Sequence, residues 1–291
     1  MKMTFEQVAQ AVGVACRGGA DEISSVVIDS RQAQPGSLFV ALPGQHHDGH
    51  QFVASAAAAG AVAAMVSQAC DARDVALLTV PDVVVAMGQL ARYWRQQCHA
   101  CRVVGITGSC GKTTTSQLLQ HILSDVSITH GTDKNYNNHL GVPLTVLGLE
   151  HEHEYAVVEM GANHQGEIAQ LSRIAQPDVA IITNIGEAHL DGFGGLVGVQ
   201  RAKSEIIQGL ALDGVLILNH DNAMSHPIAS KCLPSQQVLW VGSSDRCAVQ
   251  LLSSESTNQG LSATVRCPDG RQVVLNSPLL GAYNIQNILS A

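Results

Sequence analysis

The segment Val103-Val-Gly-Ile-Thr-Gly-Ser-Cys-Gly-Lys-Thr-Thr-Thr115 constrains this chain more than any other. An apolar run enters a loop containing Gly108 and Gly111, and Lys112 and Thr113 then open a stretch compatible with a helix. In such a turn, backbone N–H groups and the helix dipole converge on an anion. The spacing predicts that Lys112 reaches the β- and γ-phosphates of a nucleotide and that Thr113 ligates Mg2+. The bland alternative is a glycine turn with a surface lysine. Strict phosphate-loop spacing wants glycine at 106, where Ile106 stands, while Gly105 comes one place early; this argues against the GTPase and kinase branches.

The same rhythm of strand, glycine turn and helix continues downstream. Apolar runs at Arg102–Thr107, Tyr155–Met160, Val179–Thr183, Gly214–Asn219 and Val238–Gly242 read as strands, and Thr113–Leu123, Gly166–Ala175 and Val197–Leu210 as helices. Such alternation predicts an α/β fold with a mostly parallel sheet covered by helices on both faces, and sites at the carboxyl ends of its strands. Residues 247–275 read as extra β-strands with a Pro-Asp-Gly turn at 268–270.

Upstream lies a smaller α/β unit. Thr4-Phe-Glu-Gln7 has capping-box spacing, short β-like runs follow at Ser25–Asp29, Ser37–Leu42, Val62–Val66 and Ala76–Val80, and Gln51–Ala59 reads as a helix closed by Gly60. Pro81 ends this unit, and Asp82–Gln97 reads as one amphipathic helix. The expected organisation is an N-terminal domain over 1–81, a linker helix over 82–99 and a phosphate-loop domain over 100–291.

Charge and composition exclude several classes. A net charge of −8 offers no broad field for a phosphodiester backbone, so nucleic acid is not an expected partner. No apolar run approaches the roughly 20 residues needed to span a bilayer, and Met1–Val14 lacks the continuous apolar stretch of a signal peptide, so the chain reads as cytoplasmic; a monomer is the separate expectation. The 8 cysteines are scattered and read as thiols; Cys98-His-Ala-Cys101 has zinc-like spacing without a second pair, and His151-Glu-His-Glu154 reads as a polar connection.

Several polar residues stand where chemistry could sit. Glu159 ends the strand Tyr155–Met160, where a Mg2+ ligand belongs if that strand neighbours the phosphate loop, although a solvated glutamate also fits. Asn184 follows the next strand and reads as a turn residue, His189 as a packed or surface histidine or a ligand, and Lys203 by default as a solvated lysine.

Gly105-Ile-Thr-Gly-Ser-Cys-Gly-Lys-Thr-Thr114 is similar to the phosphate loop of Mur ligases and folylpolyglutamate synthetases. Val158-Glu-Met-Gly-Ala-Asn-His-Gln-Gly-Glu-Ile168, Thr183-Asn-Ile-Gly-Glu-Ala-His-Leu-Asp-Gly-Phe-Gly194 and Ala202-Lys-Ser-Glu-Ile206 resemble the central-domain motifs of the Mur ligase family, in the family's order. That resemblance implies ATP contacts from Gly108, Ser109, Cys110, Gly111, Lys112, Thr113 and Thr114, with Mg2+ held by Thr113, Glu159 and His189. It also implies that Lys203 is carbamylated and supports a second Mg2+, and that Lys112, Lys203 and His189 serve the reaction.

Asn135-Tyr-Asn-Asn138 resembles the family's asparagine-rich substrate loop, through Asn135, Asn137 and Asn138; unaided it reads as a turn before a helix. Gly281-Ala-Tyr-Asn-Ile-Gln-Asn287 resembles the adenine-contacting motif, but Ala282 and Tyr283 stand where Arg and His are usual, so only Asn284 and Asn287 carry over. Asp29-Ser-Arg31 resembles the UDP-binding signature, through Ser30 and Arg31, and Asp48 in His46-His-Asp-Gly-His50 matches a substrate-facing loop.

The implied activity is ATP-dependent amide ligation in peptidoglycan precursor synthesis, joining D-alanyl-D-alanine to UDP-N-acetylmuramoyl-tripeptide through an acyl phosphate. Family members carry a third, C-terminal domain to which nothing here corresponds, so the expectation is a truncated chain that binds nucleotide weakly and does not ligate alone. The rivals are a non-catalytic nucleotide or UDP-precursor binding module, and another Mur-type or folylpolyglutamate-type ligase.

Overall fold

The computed structural model describes residues 1–15, 22–44, 47–70, 75–133, 135–188 and 190–291. Its internal contacts divide the chain into two units, Met1–His99 with His139–His151, and Ala100–Asn138 with Glu152–Ala291.

The first unit opens with α1 (Phe5–Ala11), started by the capping box read from the sequence: Thr4 Oγ1 accepts from the Gln7 N–H and Gln7 Oε1 from the Thr4 N–H. Strands β1 (Ser25–Val27) and β2 (Ser37–Val40) follow. The helix expected over Gln51–Ala59 is a 3-10 turn, Gly49–Phe52, running into α2 (Val53–Ala58), and Gly60 closes it at φ +111°. Then come β3 (Ala61–Val66), β4 (Ala76–Thr79) and α3 (Val83–Gln97), the last capped by Asp82. The four strands form a parallel sheet in sequence order, with Phe39, Ala41, Val53, Ala56, Ala64 and Val66 in its core.

The second unit begins with β5 (Arg102–Thr107), α4 (Lys112–Ser124) and β6 (Thr129–Gly131). The chain then contributes α5 (Gly141–Leu147) to the first unit, where it packs on α3 and the Trp94 indole N–H donates to the Leu149 carbonyl at 2.9 Å. Back in the second unit are β7 (Tyr155–Glu159), α6 (Glu167–Ala175), β8 (Val179–Ile182), α7 (Leu190–Phe193), α8 (Leu196–Ser204), β9 (Val215–Asn219), α9 (His226–Ala229), β10 (Gln237–Gly242), β11 (Val249–Thr257), β12 (Gly260–Arg266), β13 (Gln272–Ser277) and α10 (Asn284–Ser290).

Among the described residues this unit has a nine-stranded sheet, ordered β13-β12-β11-β10-β9-β8-β5-β7-β6. Pairing is parallel from β6 through β11, and β11, β12 and β13 form the antiparallel extension read from residues 247–275. Central strand β5 is buried over five of its six residues, which is why it reads as a continuous apolar run. Val104, Ile106, Val157 and Ile181 pack with Leu119 of α4, and α6 also contacts β5.

One expected helix is shorter. Val197–Leu210 is α-helical only from Leu196 to Ser204 and continues as 3-10 turns over Glu205–Gly209. The cause lies across the unit: Glu205 accepts from the Gly166 and Ala169 N–H groups at the start of α6, and the Ile206 carbonyl accepts the Ser172 hydroxyl at 2.6 Å. No helix among the described residues is long and apolar enough to cross a membrane.

Candidate nucleotide site

The phosphate loop leaves the central strand β5 at its carboxyl end and turns into α4 at Gly111, whose φ of +83° suits glycine. Helix α4 has no side-chain cap, so the N–H groups of its first turn remain directed out of its N-terminus. Lys112 bends back over the loop and its Nζ donates to the Gly108 carbonyl at 3.0 Å and to that of Ser109 at 3.4 Å.

Neighbouring strands deliver the acid. Ile106 of β5 is in register with Glu159 of β7, which meets the condition set by the sequence for a metal-binding carboxylate. Glu159 is only 2% exposed, and its partners are all polar. Oε2 accepts the Thr113 hydroxyl at 2.8 Å, Oε1 accepts Asn137 Nδ2 at 2.8 Å, and the Glu159 N–H donates to Thr132 Oγ1 at 2.9 Å. Thr113, Glu159 and Asn137 thus form one cluster, whereas Asn135 and Asn138 lie exposed beside it. Thr132 was not singled out by the sequence, because a threonine after a three-residue edge strand carries no signal of its own.

The segment after β8 lines the other side of the loop. The Thr183 hydroxyl donates to the Cys110 carbonyl at 2.6 Å, the Ser109 N–H to the Asn184 carbonyl at 3.1 Å, and the Cys110 N–H to Asn184 Oδ1 at 2.9 Å. Ser109 Oγ donates to the Gly186 carbonyl and accepts from its N–H, both at 3.0 Å. Asn184, read from the sequence as a turn residue, is therefore part of the site. His189 lies outside the described residues.

Asn284 and Asn287 are buried beneath the loop. Asn287 Nδ2 donates to Asn284 Oδ1 at 2.8 Å and Thr115 donates to Asn287 Oδ1 at 3.4 Å, while a Cβ on Gly111 would meet Asn287 Oδ1 at 2.1 Å. Asn284 Nδ2 also donates to the Leu280 carbonyl at 2.8 Å, so Asn284 ties Asn287 to the preceding turn and Asn287 in turn meets α4. Thr114 occupies the first turn of α4.

Lys203, on α8, is 2% exposed, and its amine lies 5.3 Å from the centroid of the Phe193 ring. Burial first, and the charge of Lys112 second, lower its pKa to about 8. The sequence default of a solvated lysine is thereby corrected. Among the described residues, no group of three or more His, Cys, Asp or Glu side chains is placed to hold a metal ion.

In the first unit, Ser30, Arg31 and Asp48 all follow the carboxyl ends of parallel strands, β1 for the first two and β2 for the third. Arg31 is exposed; its Nε and one Nη grip Asp29, at 2.9 and 2.6 Å. Those side-chain bonds hold the Asp29 carboxyl well below the usual range, at about 2. A lowered aspartate pKa favours the fold above the ordinary aspartate pKa and ceases to as pH falls through about 2. In a 13C NMR titration Asp29 is expected to titrate near 2, and Arg31→Ala to raise that midpoint part of the way towards an ordinary aspartate, since the backbone N–H of residue 31 still donates to Asp29 Oδ1; an unmoved midpoint would show that the Arg31 side chain is not its partner.

Asp48 caps the 3-10 turn and accepts Gln68 Nε2 at 3.0 Å. The Ser67 N–H donates to His50 Nε2 at 2.9 Å, so the neutral imidazole carries its proton on Nδ1 and gives it to Asp48. His46 lies outside the described residues.

Two family models match the chain: the Mur ligase middle domain over residues 106–291 and the Mur ligase family catalytic domain over residues 22–95. The chain is 39% identical over 296 residues to UDP-N-acetylmuramoyl-tripeptide--D-alanyl-D-alanine ligase of Escherichia coli K12, a match covering 100% of this chain and 64% of that relative. A crystal structure of MurF from Acinetobacter baumannii superposes with a TM-score of 0.90 at 38% identity, over 100% of this chain and 64% of that one. MurF from Thermotoga maritima, solved in complex with ADP, gives a TM-score of 0.79 at 29% identity, over 91% of this chain and 61% of that one. The chain spans just under two thirds of the length of these relatives.

Proposed function

The chain belongs to the Mur ligase family, and from that premise we propose that it supplies the ATP site and the UDP-precursor site of a cytoplasmic amide ligase that joins D-alanyl-D-alanine to UDP-N-acetylmuramoyl-tripeptide. The observation that carries this reading is the Thr113 hydroxyl bonded to a buried Glu159 carboxylate beside the uncapped start of α4. A buried carboxyl group next to a phosphate site suits a divalent cation carried by the nucleotide. Residues 1–81 would hold the UDP-precursor through Ser30, Arg31 and Asp48, and residues 100–291 the ATP.

The donor set suits Mg2+. Thr113 Oγ1 and Glu159 Oε2 are hard oxygens 2.8 Å apart, and Mg2+ is commonly held by one or two protein oxygens with phosphate and water completing its shell. Asn137, bonded to the second carboxylate oxygen, fixes the orientation of the first. Bound there, Mg2+ would offset charge on the transferring phosphoryl group. His189 and a carbamylated Lys203 would complete the metal-binding set.

In the proposed reaction a terminal carboxylate oxygen of the tripeptide attacks the γ-phosphorus of ATP. The bond from that phosphorus to the β–γ bridging oxygen breaks, ADP leaves, and an acyl phosphate remains. Lys112 neutralises the charge that builds during this transfer. The dipeptide amine then attacks the acyl carbon and loses a proton, and phosphate departs with one of the original carboxylate oxygens. Water must be excluded while the acyl phosphate exists. In a mixture of this chain with a separately expressed C-terminal domain of a relative that restores ligation, 18O placed in the tripeptide carboxylate is expected in the released phosphate; peptide formed with unlabelled phosphate would sink the acyl-phosphate route.

Carbamylation needs a neutral amine, whose nitrogen attacks CO2 and loses a proton to give an anionic carbamate. A Lys203 pKa of about 8 makes that form accessible near neutral pH. At fixed dissolved 13CO2, a carbamate NMR signal is expected to rise as pH passes through about 8 and to vanish in Lys203→Ala; a rise delayed to the range of ordinary lysines would contradict the role. The sign for stability follows. Folding penalises the Lys203 cation, so this group's contribution improves as pH rises from about 8 to the ordinary lysine value of 10.5.

A further inference from the structure

We propose that Asn184 is a positioning residue for phosphoryl transfer, holding the phosphate loop in the shape that presents α4 and Lys112 to the nucleotide. It rests on the loop being the ATP site. One residue takes up two consecutive loop donors: its carbonyl accepts the Ser109 N–H at 3.1 Å and its side-chain Oδ1 the Cys110 N–H at 2.9 Å. A backbone N–H can only donate, so the amide orientation of Asn184 is settled by this contact.

The contact is close on both sides. Gly108 has φ +153°, and a Cβ there would fall 2.0 Å from Thr183 Oγ1 and 3.2 Å from the Asn184 nitrogen, so loop backbone lies directly on this segment. From the opposite side, Asn222 Nδ2 donates to the Ile185 carbonyl at 2.9 Å and ties the segment to the end of β9. Residues 183–186 are thus an anchored template, while a loop with glycines at 108 and 111 has wide freedom of its own. Among the described residues of the template, Asn184 is the one whose side chain, as well as its carbonyl, accepts from a loop backbone N–H. Asn184 acts through Ser109 and Cys110, and its removal should be felt at the phosphates and not at the base.

The test is calorimetry of the full chain with AMP and with Mg-ADP, comparing wild type, Asn184→Ala and, as control, Lys112→Ala. Asn184→Ala is expected to bind Mg-ADP about tenfold more weakly, the loss associated with about one net hydrogen bond to a charged ligand, with AMP affinity and melting temperature nearly unchanged. Equal weakening of AMP and ADP would mean a merely structural role, and unchanged or tighter ADP binding would mean that Asn184 only competes for the Cys110 N–H; either overturns the proposal. If Asn184→Ala does not fold, Asn184→Ser, whose hydroxyl stops short of Cys110, is read by the same ratio. A wild-type chain that binds no ADP overturns the ATP-site reading and this proposal together, whereas loss in Lys112→Ala with none in Asn184→Ala overturns this proposal alone.

Discussion

Lys112→Ala is expected to weaken binding of a Mg-ATP analogue by about 2–4 kcal/mol, roughly 30- to 1,000-fold, because it leaves phosphate charge without its partner. The lysine is the first residue of α4, and its amine now rests on two loop carbonyls, at 3.0 and 3.4 Å. Those bonds are local and partly exposed, so their loss should barely alter the melting temperature. Calorimetry and thermal melting of the same sample separate the two effects. An affinity within threefold of wild type would show that the loop does not hold phosphate through this lysine.

Gly111→Ala is expected to act on the fold as well as on the site. At φ +83° an alanine pays about 1–2 kcal/mol for left-handed backbone. Its Cβ would also arrive 2.1 Å from Asn287 Oδ1, and moving Asn287 disturbs its bonds to Asn284 and Thr115, all three buried. Together these cost about 3 kcal/mol, or about 6–12 °C in the melting temperature of a domain this size. Gly270 is the natural control. It has φ +84° with nothing within 4 Å of a Cβ, so Gly270→Ala should show the backbone cost alone. Equal losses at the two positions, measured by differential scanning calorimetry, would mean that α10 does not brace the phosphate loop.

What was legible in the sequence was what local pattern determines. Strands β5, β7 and β8 are buried in the sheet and read as apolar runs, and the phosphate loop announces itself because its glycines and lysine must sit at fixed offsets. Glu159 could be placed at a strand end, but only the register of β5 with β7 brings it to Thr113. Strand β6 escaped because three half-buried edge residues have no readable period. The ordinary appearance of Asn184, and the hidden bond from Thr115 to Asn287, have a different cause. Cys110 lies 74 residues from Asn184 and Thr115 lies 172 residues from Asn287 in the chain, and no window along the sequence contains such a pair. The break of α8 at Ser204 is of the same kind, since Glu205 is drawn to the start of α6, 36 to 39 residues upstream. In the first unit, Arg31 was recognisable as a residue type suited to diphosphate, while its bidentate hold on Asp29 emerged only from the fold.

The central claim, that one chain carries separate ATP and UDP-precursor sites, is tested most directly by titrating it with a Mg-ATP analogue and with UDP-N-acetylmuramoyl-tripeptide, in wild type, Lys112→Ala and Arg31→Ala. Both ligands are expected to bind wild type, with Lys112→Ala losing only the nucleotide and Arg31→Ala only the precursor. A folded wild-type chain that binds the nucleotide and ignores the precursor would contradict the claim and leave a phosphate-loop domain acting on some other acid.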